Sequence, residues 1–205
     1  MAKINIGATK SALSKFSASY DMVGKLMLKI NKDYFNGIDK YWNTLTAHKY
    51  FSSMAESLNS TIKTMNSAFR EANECIQRAA NNIASAEGGT TVGSISLNNI
   101  SDISIGWAGK EDGYNLPLEG EAAAQTSSHF TAPMAKIKEK CENCKSAMET
   151  IKSSGLGEQI SGAAIADITK MIENVSNIME KYDSNAVKSA SNEDVNAKNY
   201  KIKTS

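Results

Sequence analysis

The sequence predicts an all-α protein made of long antiparallel helical hairpins. Three observations carry that expectation. Apolar residues recur at steps of three and four over most of the 205 residues. Only two prolines interrupt the chain, so long helices can run unbroken. Glycine, serine, threonine and asparagine concentrate in one central stretch, about 87–118, and leave helix-forming sequence on either side.

The first helix is expected from about Ala12 to Tyr41. Leu13, Phe16, Tyr20, Val23, Met27, Ile30, Tyr34, Ile38 and Tyr41 draw one apolar stripe, with Lys15, Lys25, Lys29, Lys32, Asp33 and Lys40 between them for the solvent side. Thirty residues of helix span ~45 Å at the usual rise. Trp42-Asn43-Thr44 follows, and Asn and Thr are favoured N-caps. The stripe resumes at Ala47, Phe51, Met54, Leu58, Ile62, Met65, Phe69, Ala72, Ile76, Ala80 and Ile83. It closes at Glu87-Gly88-Gly89, because glycine is the usual residue just past a helix. Two long helices with so short a connection fold back on one another.

Within 87–118, Ile95 and Leu97 alternate with serines, and Ile103, Ile105 and Trp107 alternate with Ser104 and Gly106. Period two is the strand signal, so the insertion is either a small β-hairpin or an irregular apolar loop. Ile95, Leu97, Ile100, Ile103, Ile105 and Trp107 then either recognise a partner or fold back to cap the helices. Helical spacing returns with Ala123, Phe130, Met134, Ile137, Cys141, Cys144, Met148 and Ile151. Pro133 is placed at the first turn of a helix capped near Thr131, or at a kink. A fourth helix from about Gln159 to Asp183 carries Ile165, Ile168, Ile172, Val175, Met179 and Tyr182. The expected organisation is a hairpin over 1–86, an insertion over 87–118, a second hairpin over 119–184 packed on the first as a four-helix bundle, and a flexible polar tail over 185–205. Seven lysines against three aspartates in 1–45, and five acids against two lysines in 153–184, give the first and fourth helices complementary charge.

Composition narrows the function. The net charge of +1 offers no field for nucleic acid. No run of about 18 apolar residues suits a membrane span, and MAKINIGATKSALSKF lacks the apolar core of a cleaved signal peptide. Three cysteines make no disulfide framework. Cys141 and Cys144 have the spacing of a redox pair or half a zinc site, with Cys75, His48 and His129 as the remaining ligands. Both cysteines also lie on the apolar stripe, where they read as small buried hydrophobes. Neither histidine belongs to a nucleophile motif. Gly106-Trp107-Ala108-Gly109-Lys110 is too short for a phosphate loop, and Glu111 stands where Ser or Thr would bind magnesium. The nine methionines read as core filler. The expectation is therefore no catalytic residue, no cofactor and no metal.

The first hairpin resembles the WXG family of small type VII secretion proteins, which are similar to the early secreted antigenic targets of Gram-positive bacteria. Trp42-Asn43-Thr44 at the turn, then Ala47, Phe51 and Met54 on the second helix, carry the resemblance over about 12–86. Thr44 stands where the family has glycine. Ile160-Ser161-Gly162-Ala163-Ala164 is a fainter echo in the second hairpin. The family's export signal, a tyrosine with an acid four residues later, is met at neither Tyr182 nor Tyr200, which are followed by Ala186 and Thr204. A literal Trp107-Ala108-Gly109 has no long stripe before it.

The resemblance implies a non-enzymatic protein, exported without a cleaved signal peptide or accompanying an exported partner. Its partners would be the type VII secretion ATPase or a helical secretion protein, in a homo- or heterodimer, with Trp42, Asn43, Thr44 and Tyr182 as interaction residues; the apolar pattern of the insertion, which has no counterpart in the family, adds Ile103, Ile105 and Trp107. The rival readings are a structural adaptor of a phage or injection apparatus, a secreted host-binding factor, and a protein retained in the cytoplasm.

Overall fold

The structure is a computed structural model. It describes residues 5–86, 88–89, 102–107, 119–153, 165–181, 188 and 191–193, with side chains at all of these except 72, 75, 76, 79, 80, 83 and 86. The fold is all-α, and no described residue lies in a strand. Helix α1 covers Ile6–Ile30, α2 Leu45–Ala86, α3 Gly120–Gln125 and α4 Ser128–Ile151, and a further helix, α5, covers 165–181.

Helix α1 starts earlier than its stripe suggests. Asn5 caps it, its side-chain oxygen accepting from Ala8 N at 3.0 Å and its carbonyl accepting from Thr9 N and Thr9 Oγ1, each at 3.0 Å. The helix also ends earlier, at Ile30 rather than Tyr41. A π-helical turn, Asn31–Phe35, follows, then a 3₁₀ turn, Ile38–Lys40. The wider π turn brings the consecutive residues Tyr34 and Phe35 into the core together, at 2% and 0% exposure, which an α-helix could not do on one stripe. Gly37 makes this descent possible. A Cβ there would lie 3.1 Å from the Asp33 carbonyl oxygen.

Helix α2 begins and ends as the sequence predicts. Thr44 caps it, and Gly88 (φ +70°) ends it in a Schellman motif: Gly89 N donates to Ala84 O at 2.8 Å and Gly88 N to Ser85 O at 3.2 Å.

The described residues fall into two compact units, each taking lengths of several helices: Met1–Lys25, Thr61–Asp102 and Ile137–Asn174 in the first, and Leu26–Ser60, Ile103–Lys136 and Val175–Ser205 in the second. Each of α1, α2, α4 and α5 contributes to both units.

In the first unit Leu13, Phe16, Tyr20, Val23, Ile62, Met65, Phe69, Ile137, Cys141, Cys144 and Met148 are all fully buried. Phe16 and Tyr20 both meet Phe69 edge-on, at 5.7 and 5.8 Å between ring centres. The Tyr20 hydroxyl donates to Asn66 Oδ1, which also accepts from Arg70 Nε at 3.3 Å. Residue 16 faces 69 while 20 reaches 66, so α1 and α2 run antiparallel.

In the second unit Met27, Ile30, Tyr34, Phe35, Trp42, Phe51, Met54, Leu58, Phe130 and Met134 form the core, and Tyr34 packs on both Phe51 and Phe130.

Two further expectations need correction. The break in the third helical region falls at Thr126–Ser127, so of the two placements of Pro133 the first turn of a helix capped near Thr131 is ruled out, and the residue lies inside a longer helix. It is the sixth residue of α4 and lacks the N–H that would bond His129 O. In α5 the buried residues are Ile168, Met171, Val175 and Ile178, whereas Ile172 and Met179 are only half-buried. Met171-Ile172 and Ile178-Met179 are adjacent apolar pairs, and either member satisfies the spacing.

Of the insertion, 102–107 is described, and it is irregular rather than a strand. The Asn59 side chain holds it as a neighbouring strand would: Ile105 N donates to Asn59 Oδ1 and Asn59 Nδ2 donates to Ile105 O, both at 2.8 Å. Gly106 N donates to Asn31 Oδ1 at 3.1 Å. Asn59→Ala removes both bonds to a residue that is 2% exposed. We expect a loss of about 2–3 kcal/mol in urea unfolding, since each orphaned buried backbone group costs roughly 1–3 kcal/mol, together with a shift of Trp107 emission. A loss below about 0.5 kcal/mol would mean that the amide does not hold the segment. Ile95, Leu97 and Ile100 lie outside the described residues.

A candidate recognition site at the Trp42 turn

The turn between α1 and α2 is built on the Trp42 indole. Its backbone N–H bonds Ile38 O at 2.9 Å, and its ring, at 1% exposure, lies against Phe51 and Tyr50 at 5.5 and 6.1 Å. Tyr41 O accepts from Glu119 N at 2.7 Å, which ties the residue before α3 to the same turn. Asn43 is 9% exposed, and its side-chain oxygen is buried without a hydrogen-bond partner. Thr44 ends the turn: its carbonyl accepts from His48 N at 2.9 Å and its Oγ1 from Ala47 N at 3.2 Å. Leu45, the first residue of α2, is 59% exposed.

A carboxylate occupies this turn. Glu193 Oε2 accepts from Trp42 Nε1 at 2.6 Å and from Thr44 Oγ1 at 2.8 Å. Such charge-assisted bonds are short and strong, and the N-terminus of a helix favours negative charge. Glu193 is helical, as are the other described residues of the stretch expected to be flexible tail, 188, 191 and 192. Glu193 thereby lies at the turn of the first hairpin.

The other predicted interaction residues fall close by. Ile105 is buried at 2% exposure, and Ile103 is half-buried. The Trp107 ring stacks on Phe51 at 5.7 Å and lies 5.3 Å from the His48 ring. Its indole N–H is buried without a hydrogen-bond partner. Phe51 is therefore shared by both tryptophans. Residues 103–107 lie against Asn31, Phe51 and Asn59. Tyr182 lies outside the described residues. Sequence reasoning overlooks Glu193, whose only signal is an acidic pair, Glu193-Asp194, in a polar stretch. It also overlooks Asn59, Tyr50 and Leu45.

The remaining chemistry-bearing groups are elsewhere. Cys141 and Cys144 are fully buried in the first unit, and the Cys144 thiol donates to Phe16 O at 3.7 Å. Burial pushes the Cys141 thiol up to about 12, with a smaller push from Glu142. Burial, followed by the Cys141 charge, raises Cys144 further still. Thiols so disposed are poor nucleophiles and poor ligands at neutral pH. Among the described residues no three of His, Cys, Asp and Glu gather to hold a metal, and no helix is long and apolar enough to cross a membrane.

A hollow of about 340 Å³ lies between Leu26, Lys29, His129, Pro133 and Lys136 in the second unit. Lys29 is engaged there by Asp33 at 2.8 Å, and that hydrogen bond holds the Asp33 carboxyl below its ordinary value. Comparison of the chain with protein families, curated proteins and solved structures gives no match.

Proposed function

We propose that this chain works by protein–protein recognition rather than catalysis, as a helical protein of a type VII secretion system that is exported itself or accompanies an exported partner. The observation that carries this reading is the Trp42-Asn43-Thr44 turn. It joins two antiparallel helices, and its indole N–H and hydroxyl take up a carboxylate from a distant part of the chain. Thr44, which stands where the WXG-type family has glycine, adds a capping bond to Ala47 and a donor to Glu193. The partner is the secretion ATPase or a second helical protein, which meets the chain at the turn and at the half-exposed parts of 103–107. The buried thiols of Cys141 and Cys144 also favour a role without chemistry.

The test is the protein's location with the type VII ATPase intact and deleted, followed with an antibody against the native chain. Appearance in the medium only with the intact ATPase is the expected result. Retention in the cell in both strains would overturn the secretion reading in favour of an intracellular adaptor.

A further inference from the structure

We propose that the Trp42 turn is a carboxylate receptor kept closed by the chain's own Glu193, and that its external ligand is an acidic peptide segment of a partner protein, which displaces residues 191–193. This deepens the recognition reading and rests on it.

The donors are fixed before any ligand arrives. The Trp42 residue is 1% exposed and its ring packs on Phe51 and Tyr50, so its N–H has little freedom to turn. The Thr44 hydroxyl accepts from Ala47 N, which leaves its own proton to point elsewhere, and it donates to Glu193 Oε2, with 2.8 Å between the two oxygens. Two donors thus converge on one oxygen, at the start of a 42-residue helix. Such a point takes an acceptor and rejects a lysine or an amide N–H. The helix N-terminus adds a preference for an anion over a neutral carbonyl.

The present occupant is suited to displacement. Glu193 comes from 151 positions beyond Trp42 and is only half-buried, so water reaches the contact that a competing carboxylate would take over. Leu45 is 59% exposed immediately after Thr44, and a peptide can cover it where a free small anion cannot.

The experiment uses the purified full-length chain and a fluorescently labelled peptide with the chain's own sequence 188–198, which supplies the same glutamate in trans. Glu193→Ala opens the site without touching a buried residue, and its circular dichroism should match the parent. Removing a competitor that occupies the site nine-tenths of the time raises apparent affinity about tenfold, so the Glu193→Ala chain should bind the peptide at least ~10-fold more tightly than the parent. A peptide with Gln in place of its glutamate should lose most of that binding. Adding Thr44→Ser to Glu193→Ala should preserve it, and adding Thr44→Val, which keeps the shape and removes the hydroxyl, should abolish it.

Equal binding to the parent and Glu193→Ala chains would overturn the proposal. So would no binding to either, indifference to the peptide's glutamate, or equal competition by acetate at the peptide's own concentration. Because this binding is read on the isolated chain and export is read by location, failure of one is distinguishable from failure of the other.

Discussion

Replacing Phe51 with alanine should destabilise the protein by about 4–5 kcal/mol, near the top of the range for emptying a buried aromatic site. Phe51 is fully buried, and five rings surround it: Tyr34, Phe35, Trp42, Tyr50 and Trp107, at centroid distances of 5.7, 6.0, 5.5, 5.4 and 5.7 Å. Most of these contacts are edge-on, the favourable geometry for aromatic pairs, and each adds roughly 0.5–1.5 kcal/mol beyond the area it buries. Large rigid neighbours do not collapse readily into the vacated space, so the cavity term should stay large. For a chain of this size the melting temperature should fall by roughly 10–15 °C.

The substitution also carries an optical signature. Both tryptophans pack on Phe51, so their emission should shift in the folded state as well as on unfolding. Phe69→Ala is the matched control. It removes a fully buried ring from the first unit, where it meets Phe16 and Tyr20 and no tryptophan. It should cost comparable stability and leave the native emission in place. A Phe51→Ala loss below about 1.5 kcal/mol, or unchanged native emission, would mean that this cluster is not the keystone of the second unit.

The prominence of Phe51 is only half legible in the sequence. Its place on the α2 stripe follows from spacing, as do those of Met54, Leu58, Ile62, Met65 and Phe69, all fully buried. Periodicity succeeds there because polar residues on both sides leave one register open. It fails in α5, where paired apolar residues leave two registers open. It also fails at Phe35, because the pattern for a continuous α-helix places residue 35 off the stripe that residue 34 occupies. Only the π turn, whose cause lies in the chain's descent toward Gly37, reconciles them.

Sequence shows even less of the candidate site. Trp42 and Thr44 are visible because a tryptophan beside an N-cap at a helix junction is a local pattern. Glu193 is invisible because its partners lie 149 and 151 positions away. No local rule connects an acid in a polar stretch to a distant indole. Asn59 is hidden for a similar reason: on a helix it reads as a solvent-side residue, and its use as a backbone mimic for Ile105 depends on where the insertion comes to rest.

Alkaline pH should unfold this protein through Cys141 and Cys144. Both thiols are fully buried on α4, and burial holds each in its neutral form: Cys141 rises from 9.0 to about 12, and Cys144 higher. Below about pH 9 the thiols are protonated whether the chain is folded or not, and the stability they contribute is complete. Above it the unfolded chain releases two protons that the folded chain retains, so stability falls as pH rises toward about 12. Each thiol contributes a slope of up to about 1.4 kcal/mol per pH unit across that window. Two pH units above the onset, the pair should therefore have removed roughly 5 kcal/mol, a large part of the 5–15 kcal/mol that ordinarily holds a domain together. Urea midpoints measured from pH 7 to 11 should be flat at first and then drop steeply from about pH 9. The doubly substituted Cys141→Ala, Cys144→Ala chain should start lower because of the cavities it contains, and should lack most of that drop. A matched experiment follows alkylation by iodoacetamide with peptide mapping: at neutral pH both sites should react only after denaturant is added, since the thiolate is the reactive form. Equal alkaline slopes in the parent and the double variant would assign the loss to lysines or tyrosines instead. Rapid labelling of the native chain at Cys141 or Cys144 would place those thiols at the surface rather than in the seam between α4 and Phe16.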